Sequence, residues 1–280
     1  MASDSPTLRR RELAARLRKL RLESGKSIEE IAERLLCHPT KISRMETAKR
    51  AASLRDVRDL CGIYEVDARE RDELMRLARD ARQQGWWQHY GDLGIAPLIG
   101  LQDAASSITD YESCIVPSLL QTEEYARAII RGLAPRMRQE VLEERLEARM
   151  RRQEILYKEE PPHFWALLDE AVLRRHVGGR DLMKRQLDKI VAVGHQSNVT
   201  IQAIPFQVGA HPGLDSTFVF MSFDDPGLSP VVFVEGLVGN IYLEREVDIN
   251  RYREAVEHLR AAALGPAESL DFISRLSIQL

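Results

Sequence analysis

The sequence predicts an all-α N-terminal domain followed by an α+β C-terminal domain with a mostly antiparallel sheet. Apolar repeats of helical period fill residues 8–83, and four short strand-like runs follow one another between residues 199 and 245. Turn-forming residues bound each run, and connections this short suit hairpins better than crossovers. With 44% hydrophobic and 30% charged residues, the 280-residue chain has enough apolar residues for packed cores.

The N-terminal domain is predicted to contain five short helices. Each begins or ends at a residue type that commonly caps helices, because capping residues satisfy backbone groups that the helix itself leaves free. In chain order these residues are Gly25 as a stop, then Ser27 with Glu30, Pro39, Ser53 with Asp56, and Asp67 as starts. The third helix is the segment PTKISRMETAKR (39–50), and the fifth runs to about Gln83.

The composition changes at GWWQHYGDLG (85–94), where glycines and aromatic residues interrupt the charged helix. We therefore predict a boundary between domains 1–84 and 85–280. In the second domain the patterns predict helices at about 98–112, 121–132, 136–158, 178–196, 248–263 and 266–277. The predicted strands are 161–169, 199–206, 216–223, 230–236 and 240–245.

Charge is distributed unevenly along the chain. Residues 1–82 carry 20 Lys and Arg against 15 Asp and Glu, whereas residues 83–280 carry 20 against 28. A basic N-terminal domain on an acidic remainder indicates that only the first domain approaches a polyanion. Solvated helix faces carry similar charge, so the imbalance alone does not decide the function.

Several classes of protein are disfavoured by composition. No run of 18 apolar residues predicts a transmembrane helix, and the N-terminus lacks the apolar stretch of a signal peptide. The cysteines share no zinc-ligand spacing and are odd in number: Cys37, Cys61 and Cys114. We therefore expect no metal, no cofactor, no disulfide framework, no membrane contact, and a cytoplasmic location.

The segment PTKISRMETAKR carries the strongest functional signal. With Ile42 and Met45 turned inward, its polar residues face outward, which matches the width and chemistry of a DNA major groove. Arg44 can pair with a guanine edge, and Lys41 can reach a guanine or a phosphate. The predicted readers are Thr40, Lys41 and Arg44, and the predicted phosphate contacts are Ser43, Thr47, Lys49 and Arg50. The alternative from periodicity alone is a solvated amphipathic helix.

Residues 8–65 resemble the lambda-repressor-like (XRE-type) helix-turn-helix family. The likeness rests on the core Ile42-Ser43-Arg44-Met45-Glu46 and on the step Glu30-Ile31-Ala32. The resemblance implies base-reading positions at Pro39, Thr40 and Arg44. It also implies a buried ion pair between Arg21 and Glu46, which fixes helix orientation more than it adds stability.

Two positions depart from the family's pattern. The family usually has Gln after Ser27, where it supports a phosphate contact, and this chain has Ile28. The recognition helix usually follows a Ser or Thr cap, and here the residue is His38, a weaker cap that can itself meet a phosphate when protonated. The predicted DNA-binding set is therefore Ser27, Pro39, Thr40, Lys41, Ser43, Arg44, Thr47, Lys49 and Arg50.

The remainder of the chain resembles the effector domain of actinobacterial, antitoxin-like regulators of the WhiJ type. The likeness rests on motifs that follow in order: Trp86, Trp87, Tyr90, Asp92 and Leu93; IVPSLLQTEEYARA (115–128); LDEAVLRRHVGG (168–179); and NVTIQAIPF (198–206). Where the family typically has Gly, this chain has Ser118. The resemblance implies transcriptional control and a small partner protein encoded nearby.

Polar residues of the second domain raise the question of catalysis. The candidates are Asp169, Glu170, His176, His211 and Glu235. Asp169 is more readily interpreted as a helix cap, and His211 lies in a GAHPG turn without metal-ligand spacing. No nucleophile elbow, phosphate loop or dinucleotide motif is present, so we expect no enzyme. Trp86, Trp87 and Tyr90 are interpreted as packing anchors rather than as a ligand cage.

Together these patterns predict a DNA-binding transcriptional regulator. One short recognition helix reads few base pairs, so we expect a homodimer on a palindromic double-stranded operator. The second domain would then serve dimerisation and the binding of a small partner protein or ligand. The alternative functions are an antitoxin-like interaction protein that neutralises a small partner and, less favoured, an enzyme with a DNA-binding head.

Overall fold

The computed structural model describes residues 6–83, 85–87, 90, 96–225, 228–237 and 239–280. Gln84, the last residue of the predicted first domain, lies outside these residues, as do Asp92 and Leu93 of the aromatic motif. The chain divides into two compact units, Met1–Ala104 with Asp224–Leu228, and Ala105–Phe223 with Ser229–Leu280. Within the described residues, no helix combines the length and apolar character needed to cross a bilayer.

The first unit is helical, as predicted. Its helices are α1 (Pro6–Glu23), α2 (Ile28–Arg34), α3 (Pro39–Glu46), α4 (Leu54–Ile63), α5 (Ala68–Asp80) and α6 (Ala96–Ala104). Capping boxes at Ser27 and Ser53 and an N-cap at Asp67 begin α2, α4 and α5. One apolar core drawn from residues 13–78 holds α1 to α5 together.

The second unit is built on a mixed sheet. In the described part of the chain, six strands pair in the order β3-β2-β1-β4-β5-β6. Their bounds are β1 (Ser107–Glu112), β2 (His163–Asp169), β3 (Val199–Ile204), β4 (Phe218–Ser222), β5 (Val231–Glu235) and β6 (Asn240–Leu243). The β1–β4, β4–β5 and β5–β6 pairings are antiparallel, and β1–β2 and β2–β3 are parallel. The predicted fold class is confirmed.

Helices complete the second unit. They are α7 (Glu123–Leu133), α8 (Gln139–Arg152), α9 (Glu170–Arg174), α10 (Arg180–Val193), α11 (Glu246–Ala262) and α12 (Pro266–Gln279). Helix α11 packs Ile249, Val256 and Leu259 on one face of the sheet, against side chains that include Tyr111, Leu167 and Val232. Because side chains alternate along a strand, Asp110 lies on the opposite face.

Three predictions of secondary structure were wrong. The predicted helix 98–112 is helix α6 followed by the central strand β1, because the alternating segment SITDYE pairs with strands on both sides. Helix α8 ends at Arg152, and residues 153–157 continue as a 3-10 helix. Strand β3 pairs with β2 through a parallel crossover rather than forming a hairpin with β4.

Candidate nucleic-acid interface

Helices α2 and α3 are joined by a turn that includes a strained residue. Leu35 caps the end of α2, and the backbone amide of Cys37 donates to the carbonyl oxygen of Ala32 at 2.9 Å. Between them Leu36 has a φ of 51° and is 94% exposed. A left-handed conformation costs a leucine about 1–2 kcal/mol relative to the right-handed one. The turn geometry is therefore held by its surroundings rather than by the preference of Leu36.

Helix α3 begins at a histidine cap. The Nδ1 atom of His38 accepts a hydrogen bond from the backbone amide of Thr40 at 3.2 Å, and Pro39 occupies the first helical position. The His38 cap and Pro39 together begin α3, in place of the Ser or Thr cap that is usual at this position. The imidazole is thereby an acceptor for the protein's own backbone, and a protonated His38 would lose this cap.

The outward face of α3 carries exposed polar side chains. Ile42 and Met45 are buried at 1% and 2% exposure, whereas Thr40 and Arg44 are exposed. Helix α3 ends at Glu46, four residues before the predicted end. Its buried residues nonetheless keep the predicted spacing, so Thr40 and Arg44 lie on the face that α3 presents to solvent.

The segment after α3 turns back on the helix. Ala48 has a φ of 55°, and the backbone amide of Arg50 donates to the carbonyl oxygen of Arg44 at 3.0 Å. Lys49 and Arg50 are exposed there. Thr47 is also exposed, but its hydroxyl donates to the carbonyl oxygen of Ser43 at 2.8 Å. Because phosphate oxygens only accept, Thr47 would have to release this bond to contact one.

Glu46 and Arg21 form a bidentate ion pair below the exposed face. Arg21 donates from Nε to Oε1 at 2.7 Å and from Nη2 to Oε2 at 3.0 Å, and it also reaches the carbonyl oxygen of Lys26. The Arg21 and Glu46 side chains are only 11% and 5% exposed. The pair links α1 to α3 and neutralises the one acidic residue of α3, so that its outer face keeps a positive charge.

Lys41 does not point freely into solvent. Its Nζ lies 2.5 Å from Oδ1 of Asp56, with the Lys41 side chain 24% and the Asp56 side chain 14% exposed. Asp56 also accepts from the amide and hydroxyl of Ser53. The spacing in the sequence predicted Asp56 only as part of a cap. The ion pair between Asp56 and Lys41 joins residues fifteen positions apart, so no local sequence pattern predicts it. Because of this pair, the ammonium group of Lys41 is not free to contact DNA.

Replacing Asp56 by asparagine should lower the free energy of unfolding by about 1–2 kcal/mol at neutral pH, because it weakens a helix cap and an ion pair. Burial raises the pKa of Asp56, but the bonds from Lys41 and Ser53 outweigh it and lower the pKa overall. The carboxylate's contribution is therefore present above about pH 4, the usual Asp value. It is lost as the pH falls through the lowered folded-state pKa.

Urea unfolding of the wild-type protein and Asp56→Asn at several pH values checks this expectation. The gap between the two should close as the medium becomes more acidic than pH 4. Asp59→Asn is the matched control, since Asp59 lies on the same helix and its ion pairs within the described residues are with the exposed Arg55 and Arg58. A gap that widened in acid would contradict the assignment.

The candidate catalytic residues of the second unit are only partly brought together. Asp169 caps α9 through the amide of Ala171 at 2.8 Å, and its Oδ2 lies 3.4 Å from Nε2 of His211. Glu170 bonds to Arg174 and to the amide of Phe206. The His211 side chain is buried at this turn, at 4% exposure.

These contacts are structural in kind. His176 and Glu235 are exposed, and within the described part of the chain neither forms a hydrogen bond or an ion pair with Asp169 or His211. Nor do the described residues contain a group of three or more His, Cys, Asp or Glu side chains arranged to hold a metal ion. The three cysteines are free.

The aromatic residues after α5 pack against one another. The ring of Trp86 meets those of Trp87 and Tyr90 edge-on, with centroids 6.0 and 5.9 Å apart. Trp87 and Tyr90 are 4% and 6% exposed. Because two of these three rings are buried, the residues form a packing cluster. Little ring surface is left accessible to a ligand.

Comparison with protein families matches two separate parts of the chain. Residues 12–74 match a model described as a helix-turn-helix domain, and residues 95–275 match a model described as a domain of unknown function (DUF5753). No curated protein and no solved structure matches the chain. The first match covers α2 and α3 and supports an XRE-like helix-turn-helix domain, a type of domain found in DNA-binding regulators.

Proposed function

Since the chain belongs to the family defined by the domain of unknown function (DUF5753) and carries a helix-turn-helix domain ahead of it, we propose that it is a sequence-specific transcriptional regulator. The observation that carries the proposal is the outer face of α3. There Thr40 and Arg44 are exposed, and the only acid of the helix is neutralised from below by Arg21. A short helix with this chemistry fits a major groove.

The exposed residues suggest a division of roles on DNA. Arg44 reads a guanine edge through its paired donors, Thr40 contacts a neighbouring base, and Pro39 offers an apolar contact to a thymine methyl group. Lys49 and Arg50 bind phosphates from the segment that turns back on α3, and Ser27 and Ser43 add hydroxyl contacts. Lys41 supports α3 through Asp56 instead of reading a base.

We further propose that the regulator is a homodimer. A single α3 contacts a few base pairs, which is too short a site to be found specifically. Two copies related by a two-fold axis would read an inverted repeat whose half-sites lie about 10 base pairs apart, or a multiple of that spacing. Dimerisation is assigned to the second unit, in line with the resemblance to WhiJ-type effector domains.

Selection of genomic fragments on the full-length protein, followed by sequencing, tests the regulator and gives its operator. We expect enrichment of one short inverted repeat. Arg44→Ala should lose the enrichment, whereas Arg76→Ala, which removes an exposed arginine from α5, should keep it. Recovery of fragments without a shared motif would reject sequence-specific binding, and a motif without two-fold symmetry would reject the dimer.

Control by a partner protein or ligand has a thermodynamic consequence. If a partner changes the affinity for operator DNA, then operator DNA must change the affinity for the partner by the same factor. Titration of the full-length protein with its co-purified partner, with and without operator DNA, measures the factor by which DNA changes the affinity for the partner. A partner that binds equally in both cases would exclude this control and favour the interaction-protein alternative.

A further inference from the structure

Two charged side chains are buried in the second unit with polar atoms left unpaired. Asp110 of β1 is 3% exposed and Arg152 of α8 is 6% exposed. Among the described residues, neither Oδ1 of Asp110 nor Nε of Arg152 has a hydrogen-bond partner. A buried charge without a partner costs several kcal/mol, so proteins seldom keep one without a function.

Three further charged residues, Glu112, Glu235 and Arg149, accompany Asp110 and Arg152. Asp110 and Phe233 both pair with Val219, so Glu112 and Glu235, two residues further along their strands, lie on the same face. This is the face opposite α11. Arg149 and Arg152 are three residues apart on α8 and therefore share one side of that helix. The five charges act on one another electrostatically.

The opposite charges of these five described residues nevertheless form no ion pairs with one another. Of the ion pairs between described residues, none joins Asp110, Glu112 or Glu235 to Arg149 or Arg152. Three carboxyl groups and two guanidinium groups thus influence one another's charge without an ion pair between described residues to join them. A structural ion-pair network would have closed these gaps.

Loose packing does not explain the missing ion pairs, because the neighbouring polar groups are hydrogen-bonded. Gln121 is fully buried and bonds to the carbonyl oxygen of Val116, and its Oε1 accepts from Arg149 at 2.9 Å. Lys189 bonds to Gln121 and to Gln153, and the hydroxyl of Ser118 accepts from Nη2 of Arg152. Arg149 and Arg152 are therefore each held by one hydrogen bond to a neighbouring side chain while Nε of Arg152 stays unpaired among the described residues, and fixing side chains in this way is how proteins prepare them for a ligand.

The protonation equilibria agree with this arrangement. Burial raises the pKa of Asp110 to about 7, against the opposing charge of Arg152. Burial also raises the pKa of Glu112 well above its usual value, and the charges of Asp110 and Glu235 add to that rise. Burial lowers the pKa of Arg152 to about 10. Both signs of charge are thus disfavoured here until something compensates them.

We propose that Asp110, Glu112, Glu235, Arg149 and Arg152 form a binding site for a small zwitterion of the α-amino acid class. Its carboxylate binds the guanidinium groups of Arg149 and Arg152, and its ammonium group binds the carboxyl groups of β1 and β5. A purely anionic ligand would leave the carboxyl groups of Asp110 and Glu112 uncompensated. A purely cationic ligand would leave the guanidinium groups uncompensated. The site goes beyond the proposed DNA-binding function and does not depend on it.

Thermal unfolding of the full-length protein without DNA tests the site. The probes are the proteinogenic L-amino acids, added singly, together with the carboxylic acid and the amine that each yields when one charged group is removed. At least one amino acid should raise Tm by about 5 °C or more at one hundred times its Kd. Its two half-ligands should not. Absence of a shift with every amino acid overturns the proposal.

Variants locate the binding and separate it from a structural role. Asp110→Asn removes a carboxylate whose burial costs more than the charge of Arg152 offsets, so it should raise Tm of the free protein and abolish the ligand shift. Glu112→Gln, at the half-buried edge of the cluster, should also abolish the shift. Glu147→Gln, on the exposed side of α8, should leave both quantities unchanged. A retained shift in both Asp110→Asn and Glu112→Gln, or a lower Tm or misfolding of Asp110→Asn, overturns the proposal.

Discussion

Replacing Glu46 by alanine should lower the free energy of unfolding of α1 to α5 by about 3–5 kcal/mol. Arg21, whose side chain is 11% exposed, then keeps only the carbonyl oxygen of Lys26 as a hydrogen-bond partner among the described residues. The desolvation of that charge, formerly offset by a bidentate carboxylate, is then uncompensated. Native-state hydrogen exchange of the α3 amides measures the loss within this unit.

The same unit offers a matched control. Arg16 of α1 bonds to Glu73 of α5 at 3.0 Å, but the Arg16 and Glu73 side chains are 29% and 44% exposed. Because water screens this pair, Glu73→Ala should cost at most about 1 kcal/mol. Losses of equal size for Glu46→Ala and Glu73→Ala would contradict the view that burial decides the outcome.

A double replacement separates charge from packing. Arg21→Met combined with Glu46→Leu removes both charges together and fills similar volume. Such replacements of buried pairs are often neutral or stabilising, so the double variant should recover most of the stability lost in Glu46→Ala. Its α3 should then remain folded, and operator binding by this variant reports whether the ion pair also fixes the orientation of α3.

Replacing Arg44 by alanine should weaken binding to the selected operator by about 1–3 kcal/mol, because a bidentate contact to guanine is lost. Arg44 is exposed and lies on the outer face of α3, so the free protein should keep its stability. Titrations of operator and random DNA at several salt concentrations measure the effect. The loss should be small on random DNA, and the dependence on salt should change little.

Other outcomes assign Arg44 differently. An equal loss on both DNAs, with a salt slope reduced by about one, would make it a phosphate contact. Arg76→Ala removes the same charge from α5, where Arg76 pairs with Asp80, and it controls for net charge. If both variants behaved alike on operator DNA, the face of α3 would not be the reading surface.

Local signals predicted most of the first unit. Caps at Ser27, Ser53 and Asp67 and the buried spacing of Ile42 and Met45 depend on residues within one turn of one another, and the structure reproduces them. Periodicity identifies an outward face but not the partners of the residues on it. The polar groups of Lys41 and Thr47 consequently bind within the protein, to Asp56 and to the backbone of α3.

Non-local pairing limited the prediction of the second unit. Strand β1 is stabilised by partners more than fifty residues away in sequence, so the preceding apolar helix was extended over it. This error also hid the charge cluster, since Asp110 and Glu112 seemed to lie on a helix surface. The alternation in SITDYE was the available signal, because it places Ile108, Asp110 and Glu112 together on one face.

The position of β1 between β2 and β4 has a consequence for the order of folding. During synthesis the helices α1 to α5 have all their core partners as soon as residue 78 emerges, and such local contacts form fast. Strand β1 must wait for residues 218–222 before its antiparallel edge is covered. A nascent chain would therefore carry a folded α3 while an unpaired strand edge is still open, which makes the second unit the slower and more chaperone-dependent half of the molecule.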